Sequence, residues 1–232
     1  MTDKIDLKRH VHGYAAKAGQ FRILEVAPAA FLMIDGQGDP NTRVFAEAVE
    51  ALYPLAYTIK FASKRELGRD YGVAPLEGLW WSDDMAAFTA HRDKARWSWT
   101  LMILQPDWIG AGVVDAARNA VRAKGAPPRL DDIRFEVFDE GLCVQTLHIG
   151  SFDDEGPVLA RMHDEFIPAE GLRMTGRHHE IYLSEPRRTA PQKLRTILRQ
   201  PVEREPVERE PVARSSPART RQNGKAGEPP ER

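Results

Sequence analysis

The chain has 232 residues, 42% apolar and 29% charged, with a formal net charge of −1. That composition is ordinary for one large or two small folded domains, and the near-neutral balance argues against the basic stripe of a dedicated nucleic-acid binder. Apolar runs such as "FLMI" and "LMIL" are too short to span a bilayer, residues 1–14 lack the apolar stretch of a secretory signal, and Cys143 alone permits no internal disulfide, so the expected compartment is the cytoplasm.

In chain order, residues 21–35, "FRILEVAPAAFLMID", read as a strand pair or a bent strand broken near Pro28. "GQGDPN" is a turn, and Asn41 or Thr42 is placed to cap the helix that follows. In that helix Phe45, Val49, Leu52 and Ala56 fall at helical spacing, with a kink or break expected at Pro54. Strand-like runs follow at 71–81 and 95–104, joined by an acidic loop, "SDDMAAFTAHRDK". A helix carrying Val113, Val114, Ala117 and Val121 leads to the connector "KGAPP". Cys143, in the apolar run "GLCVQTLHIG", reads as a small buried core residue.

The order then restarts. "IRFEVFDEGLCVQTLHIGSFDDEGP" has the strand, strand and acidic turn of residues 21–40, and "VLARMHDEFIPAEG" is a helix with Leu159, Met162 and Phe166 on one stripe. "HHEIYLSEP" and "KLRTILRQPV" supply two final strands, with "APQKLR" between them as a short helical turn. Each half is strand, helix, strand, strand, so the predicted fold is α+β, built from two similar units that join their sheets. The halves run about 21–104 and 130–202 within a domain of residues 1–202. The unit "PVERE" occurs twice, starting at Pro201 and Pro206, and residues 203–232 have no aromatic, leucine or isoleucine and read as a disordered tail.

Chemistry concentrates in two places. Trp80 and Trp81 are adjacent, and Trp97 and Trp99 follow at spacing two. On strands the adjacent pair must diverge; the expectation is that Trp81 walls a pocket while Trp80 packs against a helix. Trp97, Trp99, Tyr57 and Tyr71 are further candidate walls, suited to flat aromatic or cationic ligands. In "HHEIYLS", His178, Glu180 and Tyr182 share one strand face, and His179, Ile181 and Leu183 the other. Glu180 and Tyr182 offer a base and a hydrogen-bond donor; the plain alternative is an exposed face with Glu180 paired to Arg187 or Arg188. "GQGDPN" lacks the third glycine of a dinucleotide fingerprint and the lysine of a phosphate loop. The histidines lack metal-ligand spacing, so neither cofactor nor metal is expected. The acidic "DDE" at 153–155 reads as a turn whose charge complements a helix N-terminus.

"HHEIYLSEPRRTAPQKLRTILRQPV", "FLMIDGQGDPN", "PLEGLWW" and "GLCVQTLHIGSFDDEGP" together resemble the GyrI-like small-molecule-binding proteins over about residues 1–201. The resemblance implies two tandem strand–helix–strand–strand units around a central pocket, related by a pseudo-twofold axis, with the glutamate at Glu180 projecting into it. A similar subfamily hydrolyses the cyclopropane ring of DNA-alkylating cyclopropanoid antibiotics with an aromatic cage. The implied function is binding of a hydrophobic planar or cationic xenobiotic, with Glu180 and Tyr182 as catalytic candidates. Trp81, Trp97, Trp99, Tyr57, Tyr71 and His178 are the ligand-contact candidates. Hydrolysis and binding draw on the same cage, so the residues leave both open, beside a sensor or topoisomerase-interacting role. No nucleic-acid or membrane partner is expected, and the sequence is silent on oligomeric state.

Overall fold

A computed structural model describes residues 4–83 and 93–206. Nine strands form the sheet: β1 (Arg22–Val26), β2 (Ala29–Gln37), β3 (Leu76–Trp81), β4 (Ser98–Gln105), β5 (Arg134–Phe138), β6 (Gly141–Ile149), β7 (Leu172–Met174), β8 (His178–Tyr182) and β9 (Arg195–Arg204). The order is β1-β6-β9-β8-β3-β4-β2-β5, with β7 on β9, and every pairing between these strands is antiparallel. The α+β architecture is the expected one. The order is symmetric about the β8–β3 seam: β3, β4 and β2 on one side mirror β8, β9 and β6 on the other.

The leading strands are exchanged between the halves. β1 and β2 do not pair with each other, as a simple strand pair at 21–35 would; β1 lies on β6, and β5 lies on β2. The first half therefore ends its sheet with a strand from the second, and the reverse.

The helical turn α1 (Leu7–His10) precedes the long helix α2 (Arg43–Glu66), followed by α3 (Ala111–Ala123). Thr42 occupies the N-cap position of α2 through its backbone alone; its hydroxyl donates to the Asp39 carbonyl at 2.7 Å, and Asn41 is held by the Asp39 carboxylate. Pro54 does not break α2. It is exposed, as is Glu50, so the carbonyl that loses its helical partner lies on the solvent side of the helix. The second-half helix is composite: α4 (Gly156–Ala160), a π-helical stretch Arg161–Phe166 and α5 (Ile167–Ala169). Its apolar stripe survives the wider turn, since Met162 is fully buried with Val144, Ile167 and Leu198. No helix among the described residues is long and apolar enough to cross a membrane.

Strand β9 continues through Glu203 and Arg204, pairing with β7, so these two residues belong to the sheet rather than to the tail. The remaining tail from residue 207, and the centre of the acidic loop at 84–92, lie outside the described residues.

Register decides what faces what. Gly78 pairs with Glu180 and Glu180 with Leu198, while Trp80 pairs with His178 and with Trp99. These residues, with Tyr182, occupy one face of the sheet. Phe45 of α2 stacks on Trp80, and Met162 packs with Leu198, so both helical segments cover this face, and a cavity opens on it between α2 and the turn before α4. The opposite face carries the row Leu79, His179, Arg199 and Gln145. The N-terminal segment lies across it: Arg199 donates to the Gly13 carbonyl at 2.6 Å and Gln145 to that of Ala15 at 3.0 Å.

Candidate functional site

The cavity has a volume of about 790 Å³, within the range of roughly 300–1,000 Å³ usual for small-molecule sites. One wall is α2, through Phe45, Val49, Tyr53 and Tyr57 at successive four-residue steps. Trp80 and Trp97 form a second wall, their rings edge to face at 5.8 Å. Ser184 to Arg187 and Pro191 border the rim, and Phe152, Asp153 and Glu155 come from the turn before α4.

A short hydrogen-bonded chain lies on the sheet. Trp80 Nε1 donates to the Tyr182 hydroxyl at 3.0 Å, and Tyr182 donates to Glu180 Oε2 at 2.8 Å. Gly78 makes this array possible: a Cβ there would stand 2.8 Å from Trp80 Nε1 and 3.0 Å from the Tyr182 oxygen. Phe152 packs edge-on against Tyr182 at 5.6 Å. Burial pushes the Glu180 carboxyl up to about 7, against the pull of the Tyr182 hydrogen bond and the nearby His179 charge. Burial and the adjacent Glu180 carboxylate also raise the Tyr182 phenol. Near neutral pH the carboxyl therefore exchanges protons readily while the phenol keeps its own. Arg187 pairs with Glu185, so the reading of Glu180 as half of a surface ion pair does not hold.

The two adjacent tryptophans diverge, but in the opposite sense to that expected. Trp80 walls the cavity; Trp81 lies on the other face, with the Arg177 guanidinium 3.6 Å from its ring centre. Strand parity links the two indoles, but only the long-range pairing of Trp80 with His178 sets which one faces inward. Trp99 shares the Trp80 face, yet it is fully buried beneath Phe45 at 5.1 Å, and its ring closes on Gly36, where a Cβ would collide. Tyr71 is also core, hydrogen-bonded to Gln105 and edge-on to Trp108. Of the other predicted wall residues, Trp97 and Tyr57 line the cavity; Trp81, Trp99, Tyr71 and His178 do not. His178 sits beside the cavity floor, its Nε2 3.7 Å from Glu180 Oε1 and its ring edge-on to His163. Burial and the neighbouring histidines depress it to about 3, so it is neutral.

Sequence reading missed Glu155. Taken for turn charge, it is 4% exposed and lines the cavity near Tyr182. It also missed what lies behind the floor. His179 Nδ1 contacts Glu140 at 2.8 Å, and its Nε2 lies 3.0 Å from Glu77, an ion contact bent away from hydrogen-bond geometry. Arg199 meets Glu140 at 2.7 Å and Gln145 at 3.0 Å, and Tyr14 donates to Glu77. Two carboxylates face one imidazolium and one guanidinium, all nearly inaccessible. Burial alone would discharge His179, but Glu140 and Glu77 hold it at about 9. Burial would likewise lift Glu140, but His179 and Arg199 hold it at about 2. Cys143 is fully buried, its thiol pushed up by burial. Among the described residues no three His, Cys, Asp or Glu side chains converge as a metal-ligand set.

Comparison with curated proteins gives no match. Among solved structures, an uncharacterized conserved protein from Listeria innocua is 40% identical, with a TM-score of 0.79 over 86% of this chain and 100% of that one. A protein from the same organism, described as a hydrolase, is 38% identical, with a TM-score of 0.75 over 86% and 100% of the two chains. The EcmrR–DNA complex shares the fold at 14% identity and a TM-score of 0.51, over 80% of this chain and 57% of that one. The profile of the GyrI-like small molecule binding domain matches residues 19–203. With that match spanning the whole sheet and its cavity, the chain belongs to the GyrI-like small-molecule-binding family.

Proposed function

We propose that the cavity binds flat aromatic molecules bearing a cationic or electrophilic centre, and that it hydrolyses the cyclopropane ring of cyclopropanoid, DNA-alkylating compounds. One observation carries this reading: the Trp80–Tyr182–Glu180 hydrogen-bond chain lies on an aromatic-walled cavity, with its terminal carboxyl poised near 7. The 38% identity to the Listeria protein described as a hydrolase supports adding chemistry to binding.

For a cyclopropane fused to a dienone, the walls hold the ring system against the floor. Glu180 takes a proton from water. The water oxygen bonds to the cyclopropane methylene carbon as the strained carbon–carbon bond breaks. The released electron pair moves into the ring to give a phenolate, which solvent then protonates. Tyr182 acts by donating to Oε2 and orienting the carboxylate, leaving Oε1 to accept from the water. The carbonyl oxygen and the methylene lie at opposite ends of the reacting ring, so a hydroxyl 2.8 Å from Glu180 is better placed to position the base than to serve the carbonyl. For a cationic ligand the same carboxylate supplies the opposing charge.

Incubation with a duocarmycin-type compound, followed by mass analysis, tests the reading. A product one water heavier, lost in Glu180→Gln while quenching of Trp80 and Trp97 fluorescence persists, is the expected result. Quenching with intact compound would leave a non-catalytic binding module. No quenching would remove this ligand class. We place this activity in the cytoplasm, in keeping with the lone cysteine, Cys143.

A further inference from the structure

Helix α2 has two apolar faces, and the sheet needs only one of them. Ala48, Leu52, Leu55, Ala56 and Ile59 are at most 1% exposed and fill the core. The second stripe, Phe45, Val49, Tyr53, Tyr57 and Phe61, advances by four residues at each step along the helix. Its burial declines along its length. Phe45 is wedged against Trp80 and Trp99 at 6.1 and 5.1 Å, whereas Tyr57 is 49% and Phe61 52% exposed.

The first four residues of the stripe line the cavity; Phe61 lies one helical turn beyond it. The outer rings are nevertheless ordered as a series. Tyr53 and Tyr57 lie 6.3 Å apart at 31°, and Tyr57 and Phe61 lie 6.5 Å apart at 29°. Lys60 braces Phe61, its ammonium 4.2 Å from the ring centre and itself fixed to Asp70 at 3.0 Å. Each step along the helix adds about 6 Å, so the three rings form a ramp leaving the cavity past the rim of Glu185 and Arg187. Successive rings inclined by about 30° offer separate aromatic contacts along which the ring units of a ligand can pack in turn.

We propose that Tyr57 and Phe61 form an outer aromatic subsite that grips the second ring unit of an elongated planar ligand whose first unit occupies the cavity. The subsite selects ligands by length. It rests on the assignment of the cavity to flat aromatic molecules, and it extends specificity from Tyr57, at the cavity wall, to Phe61 beyond it. Its occupant is the ligand rather than a second copy of the chain, because the exposed rings continue a wall that already lines the cavity.

Two fluorescent probes test this: Hoechst 33258, an elongated bis-benzimidazole, and 2-phenylbenzimidazole, its short counterpart. Both are titrated into the unaltered protein, Phe61→Ala and Phe61→Trp, with circular dichroism to verify folding and sedimentation to follow association. The expected result is that Phe61→Ala weakens Hoechst 33258 by about fivefold to tenfold and the short probe by less than about twofold, while Phe61→Trp preserves the preference. Unchanged affinity for the long probe, or equal weakening of both, overturns the subsite and leaves the cavity assignment intact. A dimer that dissociates on Phe61→Ala overturns it in favour of an interface between copies. Failure of the unaltered protein to bind either probe overturns the subsite together with the assignment it rests on.

Discussion

His179 and Glu180 are consecutive residues on β8, the first enclosed and the second facing the cavity with its side chain 16% exposed, and they meet burial in opposite ways. Behind the sheet, His179 belongs to a closed set of two anions and two cations, hydrogen-bonded and sealed by the N-terminal segment. On the cavity side Glu180 has a phenol for a partner and no cation in contact, and its carboxyl rises to about 7. Charges compensated at close range are locked into one protonation state; a charge left uncompensated can trade its proton. The strand thus separates a closed electrostatic set from a carboxyl open to proton exchange by the thickness of a single backbone.

The strongest way to break that contrast is to open the closed set. Arg199→Met should cost about 3–5 kcal/mol, because Glu140 is left buried beside one cation instead of two; urea unfolding at pH 7 measures it. A loss below about 1 kcal/mol would mean that the set does not behave as one unit.

Acidity sharpens the contrast. Glu140 is depressed to about 2, so its contribution is full above its unfolded value near 4.5 and is lost as pH falls through 2. His179 is raised to about 9, so its contribution is full below about 6.5 and is lost as pH rises through 9. Glu180 runs the other way. The unfolded chain releases its proton near 4.5 and the folded one near 7, so stability declines as pH climbs between those values. Glu180→Gln should therefore gain about 1–3 kcal/mol at pH 8 relative to the unaltered protein, and about nothing at pH 4. Thermal unfolding at the two pH values decides this, and an equal effect at both would sink the assignment of an uncompensated carboxyl.

Smaller effects separate the two tryptophans. Trp80→Phe removes the donor to Tyr182 and should weaken a bound planar probe by about tenfold. Trp81→Phe alters the Arg177 contact and some packing against the core but not the cavity wall, and should leave probe affinity unchanged, with a stability loss of about 0.5–1 kcal/mol. Isothermal titration of both variants reads the difference; reversed effects would place the inward indole at Trp81.

The repeat, the fold class and the shared face of Glu180 and Tyr182 were legible because each depends on local periodicity. Parity within one strand is a property of adjacent residues. The choice between Trp80 and Trp81 was not legible, because it depends on how β3 registers against β8, about a hundred residues away. The closed set was invisible for the same reason: Tyr14, Glu77, Glu140, His179 and Arg199 come from five separate segments. Trp99 and Tyr71 share residue type with true wall residues, and only packing beneath Phe45 or beside Trp108 marks them as core.

The exchange of β1 and β5 also bears on synthesis. β1 leaves the ribosome more than a hundred residues before β6, its pairing strand, exists, and β2 waits similarly for β5. A nascent chain truncated near residue 125 would hold β2, β3 and β4 with their helices, but would present an uncovered β2 edge and an orphan β1. Completion of the second half is therefore what closes the first, and the two halves are expected to be translated in sequence but to fold as one cooperative unit.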